Sequence, residues 1–490
     1  MKIDIDLLDE RLFGNEMAQH EDLDVLYSYL VERNDLDEFY SERTRISILK
    51  AIKGSGKTAL CLKALDKVKE LSNTNIAFIK YDNEISPDIE DLNHTKWVKE
   101  WKRLIIKTVG VEIGKEIGFA FDDDAMSLVE EAEKGGFKKR SIVTAICDRI
   151  WSKDIPIEKR DANRQITDNL IERFTSGKGL IWLFLDEIDQ FFTIEEKSLL
   201  RIATFFVACS ELSRRIPEFR FRLTVRPNVW TVVISKYSAL AGLRQYTVDL
   251  TWGIDQLRAL LAKRVSSFCE RNGKKIDHHF DSDEDRDLWL INSVFDPYRF
   301  DLGKGERPPH MALSTLSDHR PRWLIELCKA SLKVALKNHH QRIDIQDVNN
   351  CLFDFGVHRM EDLNAEYTVQ CDSLLTLMKS FANHKPLFKG WSELKVFIKN
   401  DILRKTSVII AGYPQLIEPK HIAQFLFSVG FFQIRIDGDG EYSHITFDER
   451  NDYFLHEEMI RDDVAYEIHP IFRKTLFLDI FTRNDRKWGS

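Results

Sequence analysis

The chain has 490 residues, 43% of them hydrophobic and 31% charged, and its formal net charge is −8 at pH 7. This length suggests two to four domains with well-buried cores, and the acidic balance excludes an overall basic surface for nucleic acid, although not a local basic patch. No apolar run approaches the roughly 18–20 residues of a membrane span, and the N-terminal segment has no apolar signal core, so we expect a cytoplasmic protein without membrane contact.

The first 45 residues read as helix and connecting loop. Five apolar or β-rich segments follow and predict strands at residues 47–52, 75–81, 180–187, 219–225 and 246–250. Amphipathic segments separate them, and this alternation indicates an α/β fold with a parallel sheet covered on both faces.

The gap between the second and third strands is long. Residues of about 87–176 look mostly helical and predict an insertion in a core that covers residues 46–250. The insertion contains Asp122, Asp123 and Asp124, for which helix capping is favoured over a metal role because acidic residues stabilise helix N-termini.

The pattern turns helical after residue 250, which predicts a helical lid at residues 251–360 and a third domain at residues 365–490. The third domain contains helical stretches followed by a hairpin around DGDG, an order that suggests a winged-helix-like fold.

The seven cysteines show no CxxC spacing, and most lie in apolar helical contexts. We therefore expect buried thiols in a reducing compartment rather than disulfides or zinc ligands.

One glycine-rich loop lies directly after the first predicted strand, in the stretch LKAIKGSGKTALCL that begins at residue 49. It fits the phosphate-binding pattern G-x-x-x-x-G-K-[ST], with alanine at the first glycine position. Lysine would reach the β and γ phosphates, and the threonine hydroxyl would bind Mg²⁺. The alternative is a glycine turn with a solvated lysine. The predicted ATP-binding residues are Ala51, Ile52, Lys53, Gly54, Ser55, Gly56, Lys57, Thr58 and Ala59.

The third predicted strand supports the nucleotide interpretation, because its apolar run ends in Asp186 and Glu187. Asp186 at the strand tip would hold Mg²⁺ together with Thr58, and Glu187 would orient the attacking water. The alternative is that both residues only end the strand. Asp189 either supports this site or caps the next helix.

These motifs, together with RLTVRPN and RPRWLIEL, resemble those of AAA+ P-loop ATPases of the origin-recognition-like branch. The segments LFGNEMAQHEDL and IHPIFRKTL also resemble bacterial P-loop ATPases of defence operons. The resemblance implies a strand order 5-1-4-3-2, with ATP between the core and the lid.

The resemblance also implies arginine and polar sensors. At the tip of the fourth strand the candidates are Thr224, Arg226 and Asn228, and Arg226 would contact phosphate or pair with Asp186 or Glu187. On the lid, Arg322 is the sensor candidate and Arg320 is its rival. Arg244 lies between the fourth and fifth strands, where the resemblance places an arginine finger that acts on a neighbouring subunit of a homo-oligomer.

The partner of the C-terminal domain stays open between DNA and protein. Its predicted recognition helix, residues 418–430, carries few basic side chains, whereas phosphate contacts require lysine and arginine. The more basic segments are KWVKEWKRLIIK and GGFKKRS in the predicted insertion.

The leading hypothesis is an ATP-hydrolysing regulatory switch of a defence system. The alternatives are an ATP-dependent DNA-binding protein and a regulatory subunit that gates a separate effector such as a nuclease.

Overall fold

The computed structural model of the chain describes residues 8–71, 76–81, 86–117, 180–189, 192–193, 195–274, 276, 279–297, 308–411, 413–438, 442–447, 449–450, 453–454 and 457–477. The chain forms two compact units. The first, here called the sheet unit, comprises Arg33–Ile52 and Lys57–Leu250. The second, here called the helical unit, comprises Met1–Glu32, Lys53–Gly56 and Thr251–Ser490.

The sheet unit is built on five parallel strands, within a residue or two of the predicted segments. They are β1 (Ile46–Lys50), β2 (Ile76–Tyr81), β3 (Ile181–Asp186), β4 (Phe219–Val225) and β5 (Thr247–Asp249). Their order across the sheet is β5-β1-β4-β3-β2, as the sequence resemblance implied. The adjacent pairs are parallel throughout, and this order places β4 between the strand before the loop and the strand that ends in Asp186.

Helices cover both faces of this sheet. In the sheet unit these are α2 (Asp37–Tyr40), α3 (Lys57–Leu71), α4 (His94–Ile117), α5 (Glu196–Arg215) and α6 (Pro227–Lys236), whereas the helix before them along the chain, α1 (Leu23–Ser28), belongs to the helical unit. One core packs α4, α5 and α6 on one face, and a second core packs α2 and α3 on the other. The β3 sequence IWLFLD is buried at every position, as expected of a central parallel strand.

A buried arginine joins the segment before β1 to the sheet. Arg222 of β4 is fully buried, and its guanidinium donates to the backbone oxygens of Phe39 and Ser41. It also lies 4.6 Å from the ring centre of Trp182. Burial lowers the pKa of Arg222 to about 9, because removal from water disfavours the charged form.

The helical unit contains the remaining helices. They are α7 (Ile254–Arg271), α8 (Asp283–Val294), α9 (Pro309–Leu316), α10 (Pro321–Lys337), α11 (Ile345–Tyr367), α12 (Leu374–Lys379), α13 (Trp391–Phe397), α14 (Pro419–Ser428) and α15 (Pro470–Arg473). One continuous hydrophobic core runs through the predicted lid and the predicted third domain. The boundary between those two domains stays a prediction.

The predicted hairpin is present, but it belongs to a larger sheet than the expected two-stranded wing. Strands β6 (Leu387–Lys389), β7 (Phe432–Asp437), β8 (Tyr442–Ile445) and β9 (Ala465–Ile468) form a four-stranded sheet of order β6-β9-β7-β8. The pairings are antiparallel. Strands β6 and β9 are only three and four residues long, too short for a clear alternating pattern.

Several sequence predictions lie outside the described residues, among them the three aspartates at 122–124, the basic GGFKKRS segment and Cys147. The other six cysteines are free and buried, as expected. Among the described helices, none is long and apolar enough to cross a membrane.

Candidate functional site

The predicted magnesium ligands lie together at the carboxyl ends of β3 and β4. The Thr58 hydroxyl, in the first turn of α3, donates to Asp186 Oδ2 at 2.7 Å. The Thr224 hydroxyl, near the end of β4, donates to Asp186 Oδ1 at 2.5 Å. Asp186 is fully buried, and the two hydroxyls fix one carboxylate oxygen each. The sequence had placed Thr224 only among candidate sensors, and the structure assigns it a contact with the acid itself.

Glu187 follows directly at the strand tip in a strained backbone conformation. Its φ is +57°, a value that non-glycine residues adopt rarely and that is typical of functional sites. Its backbone N–H lies 3.0 Å from Asp186 Oδ1 and 3.4 Å from the Thr224 hydroxyl. Burial raises the pKa of Glu187, the Asp186 charge raises it further, and Lys57 and Arg226 lower it. A carboxylate with a raised pKa is a better proton acceptor.

Lys57 lies at the start of α3 and folds back over the loop. Its Nζ donates to the carbonyl oxygens of Ala51 at 2.7 Å and Ile52 at 3.2 Å. Ala59 continues the first turn of the helix. The lysine charge is therefore held beside the loop at a helix N-terminus, where the positive end of the helix dipole also favours an anion.

The two loop glycines both need a left-handed backbone. Gly54 has φ +87° and Gly56 has φ +88°, a region in which glycine has no steric penalty. A Cβ built on Gly56 would meet no atom within 4 Å, whereas one on Gly54 would lie 3.1 Å from the Cβ of Arg322. The loop therefore has open space beside Gly56, which suits a bound phosphate.

Arg226 contacts a different acid from the two that the sequence suggested. It precedes α6 as its N-cap, and its backbone N–H donates to Asp189 Oδ2 at 2.7 Å, with its Nε 3.8 Å from the same oxygen. The partner is therefore Asp189, not Asp186 or Glu187. Asp189 is buried and accepts from the β4–α6 turn, whereas the N-cap of the next helix along the chain, α5, is Glu195; a supporting role of Asp189 in the nucleotide site stays a prediction. Asn228 lies one residue into α6.

The two lid arginines differ sharply. Arg320 is buried, with its Nε 3.2 Å from Asp318 Oδ2 and its guanidinium 4.1 Å from the Trp323 ring centre. Arg322 lies in the first turn of α10, after Pro321, and its Nε is 2.9 Å from Glu326 Oε1. Its side chain is 28% exposed. Arg322 is thus the more accessible of the pair. Arg244 is exposed in the 3₁₀ segment Ser238–Tyr246.

Three loop contacts were not expected from the sequence, and all lie within the helical unit. The Lys53 N–H lies 3.4 Å from Glu366 Oε1, the Arg322 N–H donates to the Gly54 carbonyl at 3.1 Å, and Trp252 Nε1 donates to the Ser55 carbonyl at 2.9 Å. Trp252 and Glu366 lie in segments with no motif, so no local sequence signal identifies them.

A second group of potential metal ligands in the described residues has a structural explanation. His340, Asp344 and Asp347 lie together, but Asp344 caps α11 by accepting the N–H groups of Gln346 and Asp347. Asp347 in turn accepts the Asp344 N–H at 3.1 Å and contacts His340 at 2.9 Å. This is a capping box with a histidine beside it.

The residues at the first site suit Mg²⁺ and a nucleotide phosphate. Thr58 and Asp186 supply hard oxygen donors, which Mg²⁺ prefers, and the glycine loop, Lys57 and the α3 N-terminus supply the anion contacts. The strand order, the loop and the acidic strand tip together define an α/β fold of the P-loop NTPase class.

Comparisons with known proteins give distant similarities. No family model matches the chain. The chain is 23% identical over 289 residues to the putative transposon gamma-delta 80.3 kDa protein of Escherichia coli (strain K12), a match that covers 57% of this chain and 38% of that protein. The chain thus spans about two fifths of the length of that curated relative.

Among solved structures, the chain is similar to the ORC2 protein of Aeropyrum pernix in its ADPNP–ADP complexes, with 12% identity, a TM-score of 0.41 and coverage of 96% of this chain and 98% of that one. It is similar to the Walker-type ATPase paby2304 of Pyrococcus abyssi, with 11% identity, a TM-score of 0.39 and coverage of 85% and 94%. A third is the Aeropyrum pernix ORC1 protein in complex with DNA, with 11% identity, a TM-score of 0.36 and coverage of 93% and 95%.

Proposed function

We propose that the chain is a Mg²⁺-dependent, ATP-hydrolysing switch of the AAA+ type. The observation that carries the proposal is the Thr58–Asp186 hydrogen bond of 2.7 Å, which joins the first turn of α3 to the tip of β3 beside Glu187. A glycine turn with a solvated lysine would not require a threonine hydroxyl bonded to a buried carboxylate on another element.

Each residue has a distinct role in this proposal. Lys57 and the loop N–H groups would hold the β and γ phosphates, and Thr58 and Asp186 would hold Mg²⁺, which supplies charge neutralisation when bound. Glu187 would orient the attacking water and accept its proton. We assign the lid sensor to Arg322 rather than Arg320, because Arg320 is buried against Trp323 and Asp318 whereas Arg322 is more exposed and adjoins Gly54.

The test is nucleotide binding and phosphate release by the purified chain, compared with two site variants. Lys57→Ala should abolish ATP binding. Glu187→Gln should retain binding but lower turnover by about 10²-fold or more, the usual effect of removing a general base. Lys69→Ala is the matched control, since Lys69 has the same charge on the same helix but is exposed and lies about three turns beyond the loop. Normal turnover in both site variants would refute the proposal.

We propose further that the switch is regulatory and serves a partner, in line with the resemblance to ATPases of defence operons. The same assay distinguishes the alternatives if it is repeated with duplex DNA and with the products of adjacent genes. Stimulation by DNA that weakens steeply with salt would favour the DNA-binding alternative. Stimulation only by an adjacent gene product would favour a subunit that gates a separate effector.

A further inference from the structure

The phosphate loop is held by its contacts within the helical unit at three consecutive residues, and one of these contacts is to an acid. Glu366 lies in the last turn of α11, and its Oε1 is 3.4 Å from the Lys53 N–H. Its side chain is only 3% exposed. A buried carboxylate needs a charged or hydrogen-bonding partner, and Glu366 has one on each oxygen.

The second partner of Glu366 is Arg320. The Arg320 Nη1 lies 3.8 Å from Glu366 Oε2, and its Nε lies 3.2 Å from Asp318 Oδ2. Arg320 is itself 3% exposed and rests on Trp323. One immobilised guanidinium therefore lies between the acid that contacts the loop and a second acid in the turn before α10.

That second acid faces the C-terminal four-stranded sheet. Asp318 Oδ1 lies 3.7 Å from Nε2 of His469, the residue after β9. Asp318 Oδ2 lies so close to Gly430, just before β7, that a Cβ built on this glycine would be 2.9 Å from it. His469 Nδ1 accepts the Ile471 N–H, so its proton lies on Nε2 when the ring is neutral. Burial lowers the pKa of His469 well below its usual value, which keeps it in that form.

The turn between these groups is strained. Asp318 has φ +51° and His319 has φ +53°, and two successive non-glycine residues in this region persist only where surrounding contacts determine the backbone. The turn is therefore held by its contacts on both sides, an ion pair with Arg320 and the neutral ring of His469, so a shift of Arg320 would be passed on to the sheet side.

We propose that Glu366 is a positioning residue for the phosphate loop, and that Glu366, Arg320 and Asp318 form a relay that transmits the nucleotide state of the loop to the C-terminal sheet. The proposal rests on the proposed ATP site. Phosphate that orders residues 53–56 would alter the Lys53–Glu366 contact, and Arg320 would carry that change to the Asp318 turn. The sheet residues that respond are those around Gly430 and His469.

The experiment is hydrogen–deuterium exchange on the full chain with and without saturating ADP and Mg²⁺. In wild type, ADP should slow exchange in the loop and change it at least about twofold around residues 428–437 and 464–473. Glu366→Gln and Asp318→Gly should keep the loop effect and lose the change in the sheet. Asp318→Gly suits the positive φ, so it tests the carboxylate without threatening the fold. Glu366→Gln should also weaken ADP binding by up to about tenfold, through loss of a charged hydrogen bond.

The matched controls are Glu361→Gln, an exposed acid on the same helix, and His319→Gly, which relieves the same backbone strain but leaves Asp318 intact. Both should behave as wild type does. A sheet response that survives in both relay variants, or is absent from wild type despite ADP binding, would overturn the relay alone. Failure of wild type to bind any nucleotide would overturn the proposed function and the relay with it.

Discussion

The substitution Thr224→Val tests whether the buried acid at the strand tip is held as the structure shows. Valine keeps the branched shape of threonine and removes only the hydroxyl. That hydroxyl donates to Asp186 Oδ1 at 2.5 Å, and its loss leaves this oxygen, among the described residues, with the adjacent Glu187 N–H at 3.0 Å. Asp186 has no exposure to water that could replace the missing donor.

The expected cost follows from that geometry. A hydrogen bond to a charged, buried group contributes about 1.5–3 kcal/mol, so the free energy of unfolding should fall by that amount. Because Asp186 is also the proposed Mg²⁺ ligand, loss of its orienting partner should weaken Mg²⁺-dependent turnover by about 10–100-fold. Urea unfolding followed by circular dichroism measures the first effect, and phosphate release against Mg²⁺ concentration measures the second.

Thr231→Val is the control, because Thr231 is an exposed threonine on α6 whose hydroxyl donates to the Pro227 carbonyl of its own helix at 2.9 Å. It should change stability by less than about 0.5 kcal/mol, as exposed substitutions usually do. Equal effects of the two substitutions on stability and on Mg²⁺ dependence would refute the reasoning, since the Thr224 hydroxyl would then contribute nothing specific to the acid.

Three further predictions follow from the same structure. The pKa of Glu187 is raised above its usual 4.5, so the native state loses stability as the pH rises from 4.5 through the folded pKa. Glu187→Gln should therefore have the same melting temperature as wild type near pH 4 and a higher one at pH 7. A difference in melting temperature that stays constant with pH would contradict this. Gly54→Ala should lower stability more than Gly56→Ala in unfolding experiments, because both strain a positive φ but only the first brings a Cβ within 3.1 Å of Arg322. Arg222→Met should destabilise the chain by about 1.5–3 kcal/mol or more by leaving buried carbonyls without donors, and a neutral effect in urea unfolding would be inconsistent with that.

The sequence predicted the sheet unit well because its signals are local. The β3 sequence IWLFLD is a short apolar run, as a strand at the centre of a parallel sheet needs, whereas β4, FRFRLTV, buries Arg220 and Arg222 among its apolar residues. The loop was found by the spacing of its glycine, lysine and threonine, and the strand ending in Asp186 by its apolar run. The strand order came from the family resemblance and agrees with the structure, although no residue pattern within one strand determines which strand lies beside it.

The site was predicted less completely because several of its contacts depend on tertiary structure. Arg226 was expected to contact phosphate or to pair with Asp186 or Glu187, yet the turn after β4 brings it to Asp189. Trp252 and Glu366 reach the loop from segments far along the chain, where a single tryptophan or glutamate has no distinguishing neighbour. Such residues are found only once the backbone is placed.

The stretch SDHRPRW shows most clearly what the sequence could not supply. Its RPR segment predicted the start of α10 correctly, since proline fits the first helical turn. Nothing in it signals that Asp318 and His319 both adopt left-handed backbones, which glycine would adopt without strain. Tertiary contacts of Asp318 maintain the strain: its carboxylate pairs with Arg320 on one side and faces the His469 ring on the other. Glycine at either position would relieve strain, so the comparison of Asp318→Gly with His319→Gly separates the effect of the Asp318 carboxylate from the effect of the strained backbone.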